Sequence, residues 1–278
     1  MHRIGSSERP DWPLAVVVGA GGMGMAAARR LSQRRRVLVA DLDPARAAEA
    51  AETLRAEGGD AQGIACDVTD PAAVEALGEA VDRLGGFQVL AHVAGLSPSM
   101  GGFRSIVRVN LTGAALVAET LRPRAARGTA AILISSAAGH LFRIPEGIEP
   151  LVRAAYDPQL ADKLAAALGD GQATPELAYS LSKAGLIAYC RSQAPAWGER
   201  GARIVSLSPG MIATPMGALE FEKSPVKRRL YERTPLQREG TLLEISDALE
   251  FLASDRASFI TGTDLLVDGG LCAAVMAG

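Results

Sequence analysis

Cysteine is scarce in this chain, and so is charge of one sign. Three cysteines, Cys66, Cys190 and Cys272, stand far apart in 278 residues and share no local context. An odd, scattered set of thiols fits neither a disulfide framework nor a zinc site. It predicts reduced, buried small side chains, a cytoplasmic setting and no metal. Lys and Arg total 29 against 31 Asp and Glu, a formal net charge of -2. No basic stripe is available to hold nucleic acid, and Arg34, Arg35 and Arg36 read as a solvated helix end. No apolar stretch is long enough to span a bilayer. Residues 1–13 are polar, and the apolar run Leu14–Val18 is too short for the core of a signal peptide. Internal repeats, low-complexity tracts and linkers are also missing. One α/β domain over residues 14–278, behind a short N-terminal extension 1–13, accounts for the length.

What is present is alternation. Short apolar runs at Leu14–Gly19, Val37–Asp41, Ala61–Cys66, Val89–Val93, Ala130–Ser135, Arg203–Leu207 and Asp264–Val267 alternate with helical stretches. Nearly continuous apolar strands are buried on both faces, as in a parallel sheet covered by helices. Helix starts are marked by a capping side chain ahead of proline at Asp43-Pro44, Asp70-Pro71, Asp157-Pro158 and Thr174-Pro175. Thr241 with Glu244 forms a capping box before the last long helix. Repeated βα units predict right-handed crossovers and a doubly wound Rossmann sheet of about seven strands.

The first strand runs into Gly19, Ala20, Gly21, Gly22, Met23 and Gly24, a GxGxxG turn that opens a helix. The first glycine makes the turn, the second lets a pyrophosphate approach the backbone, and the third packs helix against strand. The positive end of the helix would face the phosphates. Asp41 ends the second strand, 17 residues after Gly24 (41 − 24). A carboxylate there accepts hydrogen bonds from ribose hydroxyls and repels a 2′-phosphate, so NAD is expected rather than NADP.

Tyr179 and Lys183 sit at i, i+4 on the helix that follows Thr174-Pro175, which places both on one face. A cation about 4 Å from the phenol, in a partly buried site, interacts by about 4 kcal/mol and brings a tyrosine towards neutral pH. Ser135 and Ser136 end one strand, and Ser208, Pro209 and Gly210 end another, at the edge where open α/β sheets bind ligands.

On these residues the chain resembles the short-chain dehydrogenase/reductase family from about Leu14 to Gly270. The motifs run in order: the glycine turn, Asp41, Asp67-Val68, Ala94-Gly95, Asn110, Ser136, Tyr179 with Lys183, Pro209-Gly210 with Thr214, and Val267-Asp268-Gly269-Gly270. The resemblance implies that Tyr179 carries the proton, Ser136 orients the substrate oxygen and Lys183 holds the ribose. Asn110 would bind a water that relays protons to Lys183. The implied cofactor envelope is Gly19, Gly21, Gly22, Met23, Gly24, Asp41, Leu42, Asp67, Val68, Val93, Ala94, Gly95, Tyr179, Lys183, Pro209, Gly210, Ile212, Thr214 and Met216. It also implies a homodimer or homotetramer built on the Tyr–Lys helix and on the last strand and helix. The sequence departs from the family in three places. The glycine turn is one residue shorter and lacks its leading threonine. His92 and Val93 replace two asparagines, and Val205 replaces another.

Ser136 and Tyr179 are 43 residues apart (179 − 136), longer than is usual in the family. The excess, residues 139–173, reads as a folded helical insertion resembling in position those of certain hydroxysteroid dehydrogenases and carbonyl reductases. It is expected to line the substrate pocket at Leu141–Pro145, with a helix from Pro158 to Leu168 over its outer side. The expected activity is NAD-dependent interconversion of a secondary alcohol and a ketone on a medium-sized, mainly apolar substrate. An NAD-binding regulator without catalysis is the alternative, disfavoured because Asn110, Ser136, Tyr179 and Lys183 are all present. A sugar-nucleotide epimerase ranks third, since little chain follows Gly270 to build an extra lobe.

Overall fold

The apolar runs become the strands of a single parallel sheet in the computed structural model, which describes residues 12–169, 171–214 and 225–277. Among these residues there are seven strands: β1 (Leu14–Val18), β2 (Arg36–Asp41), β3 (Ala61–Ala65), β4 (Phe87–His92), β5 (Ala125–Ile134), β6 (Arg203–Pro209) and β7 (Asp264–Val267). Their spatial order is β3-β2-β1-β4-β5-β6-β7, with every neighbouring pair parallel. The order reverses between β1 and β4, and a crevice for a ligand opens there beyond the carboxyl ends of the strands.

Both sheet faces are packed, as the apolar runs require. Val16 and Val18 face one core with Leu90, Leu111 and Leu133, while Ala15 and Val17 face the other with Leu31, Ile132 and Leu249. The helices α1 (Gly22–Ser32), α2 (Pro44–Ala56) and α3 (Pro71–Arg83) fill the first crossovers, and Asp43 and Asp70 cap the latter two with side-chain bonds to the backbone. Next come α4 (Phe103–Val107), a π-helical turn (Arg108–Gly113) and α5 (Ala114–Leu121). The chain continues through α6 (Ala137–His140), α7 (Glu149–Arg153), α8 (Leu160–Leu168) and α9 (Pro175–Gly198). Beyond β6 lie α10 (Pro225–Arg233), α11 (Leu242–Leu252) and α12 (Leu271–Met276). Thr241 and Glu244 form the expected capping box of α11.

Two local readings of the sequence need correction. The arginine triplet is not a solvated helix end. Only Arg34 is exposed, while Arg35 donates to Ala253 O at 3.2 Å and Arg36 to Trp12 O and Leu84 O at 2.9 Å each. Helix α8 begins at Leu160, not at Pro158. The Asp157 side chain accepts from Gln159 N at 2.9 Å and its carbonyl from Leu160 N at 3.0 Å, which closes a turn before the helix starts.

The segment expected to be an insertion is folded onto the core in its described residues. Ile148, Val152, Leu160, Ala161 and Leu164 are buried in the cluster that also holds Leu111 and Leu186. Asp162 on α8 ion-pairs with Arg104 at 2.6 Å and Arg108 at 2.9 Å, fastening the inserted helix to α4 and the π turn. Leu141, Phe142 and Ile144 are half-buried. All three cysteines are free and buried, as the composition led one to expect. No described helix is long and apolar enough to cross a membrane, and no described acidic, histidine or cysteine cluster could hold a metal.

Candidate active site

The glycine turn has the shape of a phosphate cradle. Gly19 adopts φ 99°, and a Cβ there would fall 2.7 Å from Ala94 N. At Gly24 a Cβ would fall 1.7 Å from Gly19 O, so only glycine lets α1 start against the turn. A Cβ at Gly21, the N-cap of α1, would meet nothing within 4 Å. The protein therefore leaves open the side from which a pyrophosphate would approach, and no acidic residue stands in the first turn of α1 to repel it.

Asp41 closes the other wall. It is 8% exposed, its Oδ2 accepts from Ala20 N at 2.7 Å, and its Oδ1 accepts from Asp43 N at 3.0 Å. Each oxygen keeps a second lone pair for a ribose hydroxyl. Arg46 stands 3.6 Å from Oδ1, and Leu42 next to Asp41 is exposed. Just past the carboxyl end of β3, Asp67 accepts from Thr69 N and Oγ1, and Val68 is buried. Val93 N and Ala94 N both donate to Val18 O at 2.8 Å, which presses the end of β4 against β1.

The four proposed catalytic residues gather at the carboxyl edge from three elements. Ser136 follows β5 and caps α6, its Oγ accepting from Ala138 N at 3.2 Å. Tyr179 is half-buried on α9. Lys183 is buried one turn later, with Nζ 5.8 Å from the Tyr179 ring centre and donating to Ile134 O at 2.8 Å. Burial pulls the Lys183 ammonium down to about 8, so the cation is less firmly held than that of an exposed i, i+4 pair. Asn110 lies in the π turn and is buried. Its Oδ1 accepts from Leu96 N at 2.7 Å and its Nδ2 donates to Leu96 O at 2.9 Å. A π turn re-aims the backbone inside a helix, and such turns are frequent at functional sites. A Cβ at Gly95 would lie 3.2 Å from Asn110 Oδ1 and 3.6 Å from Lys183 Nζ, so these groups converge on one point of the floor.

Pro209 is buried at the end of β6, and Gly210 N donates to Val267 O at 2.9 Å. Ile212 bridges to Gly240, which holds the segment leading to Thr214. Met216, expected in the cofactor envelope, lies outside the described residues.

Two histidines were not given roles by the sequence. His92, at the end of β4, is 1% exposed, and its Nε2 meets no hydrogen-bond partner among the described residues. Burial, then the charge of Lys183, pushes it down to about 3, so it is neutral. His140 ends the α6 turn and meets Asp264. Its spacing of four from Ser136, and an aspartate heading an otherwise apolar strand, were the available signals.

Comparison with known proteins bears on the family. Residues 13–146 match the family model for short chain dehydrogenases, and residues 163–272 the model described as Enoyl-(Acyl carrier protein) reductase. The chain is 33% identical over 263 residues to the short-chain dehydrogenase/reductase bsc3 of Alternaria brassicicola, covering 93% of this chain and 95% of that one. It is 32% identical over 272 residues to the cis-4-hydroxycyclohexanecarboxylate dehydrogenase of Sinomonas cyclohexanicum, covering 94% and 96%. The crystal structure of gox2181 superposes with a TM-score of 0.77 at 28% identity, covering 95% and 96%. A seven-stranded parallel sheet of this order, the glycine turn at its switch point, and relatives matched almost end to end leave one assignment: the chain belongs to the short-chain dehydrogenase/reductase family and is an oxidoreductase of the kind that acts on CH–OH groups.

Proposed function

We propose that this enzyme interconverts a secondary alcohol and a ketone with NAD(H), on a medium-sized, mainly apolar substrate. The observation that carries the cofactor choice is the Asp41 carboxylate, buried against the glycine turn with Ala20 N on one oxygen. A 2′-phosphate on the ribose would meet a negative charge in a region of low solvent access, where repulsion is weakly screened. Open space at Gly21 supports dinucleotide binding along the turn. The remaining cofactor contacts are assigned to Gly22, Met23, Leu42, Asp67, Val68, Val93, Ala94, Gly95, Pro209, Gly210, Ile212, Thr214 and Met216.

When bound, NAD supplies the acceptor or donor of hydride at the carbon being oxidised or reduced. Tyr179 takes the proton from the alcohol oxygen in oxidation and returns it in reduction. Ser136 Oγ holds the same oxygen by donating its O–H, which it can do while still accepting from Ala138 N at 3.2 Å. Lys183 holds the ribose hydroxyls and places positive charge near the phenol. Asn110, fixed by both bonds to Leu96, keeps the π turn open for a water that passes the proton on to solvent.

Residues 14–278 form the catalytic domain on this reading, with 139–173 as an insertion whose stretch Leu141–Pro145 walls the substrate pocket. The half-buried Leu141, Phe142 and Ile144 give that wall its apolar character. We further assign a homodimer or homotetramer and, from three buried free thiols, a reducing compartment such as the cytoplasm. A screen of secondary alcohols with NAD and with NADP, following absorbance of the reduced cofactor, tests the reading. cis-4-Hydroxycyclohexanecarboxylate, cyclohexanol and small diols are the first substrates. Reduction of NAD well ahead of NADP is expected; equal rates with both would remove the role given to Asp41.

A further inference from the structure

Ser136 stands at the head of a turn of one helical length, and the tail of that turn is anchored in the buried interior. α6 has four residues, with Ser136 capping its start and His140 ending it. His140 Nε2 lies 2.7 Å from Oδ2 of Asp264, the first residue of β7. An ionised carboxylate can only accept, so Nε2 carries the proton of this bond. The Asp264 side chain is 1% exposed, and its other oxygen accepts from Ser208 Oγ at 2.8 Å. Ser208 immediately precedes Pro209 and Gly210. Two segments that meet the substrate oxygen and the cofactor are thus joined through one buried carboxylate.

The sheet does not require this charge. β7 is otherwise Leu265, Leu266 and Val267, and a carboxylate removed from water is retained only when its oxygens are bonded and its charge answered. Among the described residues His140 is the one cation-capable side chain within ion-pair range of Asp264. The near end of the turn has its own fastenings. Ser135 Oγ donates to Lys183 O at 2.8 Å, and the buried Cys272 Sγ donates to Ala137 O at 3.5 Å. Gly139 packs so closely on α9 that a Cβ would fall 2.8 Å from the Lys183 carbonyl carbon. Beyond Gly139, the His140 side chain ties the far end to β7.

We propose that His140 and Asp264 are positioning residues for Ser136, setting where the serine presents its Oγ relative to the cofactor segment that Ser208 ties to the same carboxylate. The inference rests on Ser136 being the oxygen-binding serine. A hydrogen bond to the reacting oxygen has to coincide with hydride transfer at the adjacent carbon, and a misplacement of about 1 Å can cost up to ~10²-fold in rate.

The test uses the intact chain and whichever secondary alcohol in the screen gives the fastest NADH formation. His140→Leu removes the donor at similar volume, and His140→Gln restores an N–H donor of comparable reach. His140→Leu is expected to lower kcat by about 10-fold or more while the Kd for NADH stays within about twofold, and His140→Gln to recover most of the loss. In a Ser136→Ala background His140→Leu should add less than about twofold, because an absent serine cannot be misplaced. Equal losses in the leucine and glutamine variants, or an undiminished His140 effect without Ser136, would overturn the proposal. Ser136→Ala with parental turnover would sink the serine assignment itself. A slow Ser136→Ala beside a fully active His140→Leu would sink only the positioning role. If His140→Leu does not fold, Asp264→Asn takes its place. It should be slow yet bind NADH normally, and normal turnover in it would refute the proposal.

Discussion

Acid should unfold this enzyme earlier than its carboxylates alone would require, through His92. The side chain is 1% exposed at the end of β4, and burial together with the nearby Lys183 charge lowers it from 6.5 to about 3. Between those two values the unfolded chain binds a proton at this residue and the native chain does not. Stability is therefore intact above pH 6.5 and falls as pH drops through the window, by about 1.4 kcal/mol for each pH unit. At pH 5 the loss from His92 alone is about 2 kcal/mol, a large part of the 5–15 kcal/mol that holds a typical domain folded. His92→Asn puts a neutral polar amide at this place and cannot titrate. Urea unfolding of parent and variant at pH 7 and pH 5 isolates the effect, since the other titrating groups are common to both. The gap between the two proteins should shift by about 2 kcal/mol in favour of the variant at the lower pH. Parallel losses in parent and variant would refute the reasoning.

Three further outcomes are expected. Asp41→Ala should narrow the preference for NAD over NADP in kcat/KM by removing the charge beside the ribose, and Arg46, 3.6 Å from that carboxylate, is placed to assist a phosphate; an unchanged ratio would exclude Asp41 from the selection. Tyr179→Phe should lower turnover by at least ~10²-fold with NADH binding retained, and turnover within a few fold of the parent would assign the proton to another group. Lys183→Met should abolish turnover yet stabilise the fold at pH 7 by up to about 3 kcal/mol, since the buried ammonium sits at about 8 against 10.5 unfolded. That penalty is complete below pH 8 and lifts as pH rises to 10.5, so the difference in melting temperature between the two proteins should shrink over that range.

The sheet was legible because burial on both faces writes its strands as unbroken apolar runs, and because aspartate before proline marks where α2 and α3 begin. The rest was set by contacts distant in sequence. Asp157 precedes a proline as Asp43 and Asp70 do, yet it closes a turn instead of capping α8. Nothing in the local pattern separates these cases, because the helix start is decided by where Leu160 and Leu164 find the core. Arg35 and Arg36 look solvated by composition, but carbonyls at Ala253, Trp12 and Leu84 take their guanidiniums. The helices α6 and α7 are too short to show a period at all.

The site was legible in its residue types and opaque in its electrostatics. An i, i+4 tyrosine and lysine suggest a firm cation beside a phenol. The fold instead buries the ammonium against the Ile134 carbonyl, where desolvation weakens it. His92 and Lys183 must then be considered together. An imidazolium near a buried ammonium would add like-charge repulsion to a second desolvation, so the histidine stays neutral beside the lysine. An asparagine in this place would be neutral at every pH; a histidine is neutral only while the native structure holds its proton affinity down. The substitution therefore leaves the charge pattern around the cofactor unchanged under working conditions and makes its persistence depend on the integrity of the strand end. Acid that protonates His92 would add a second buried cation to the influence of Lys183, and the first region to open should be the β4 end that carries Val93 and Ala94.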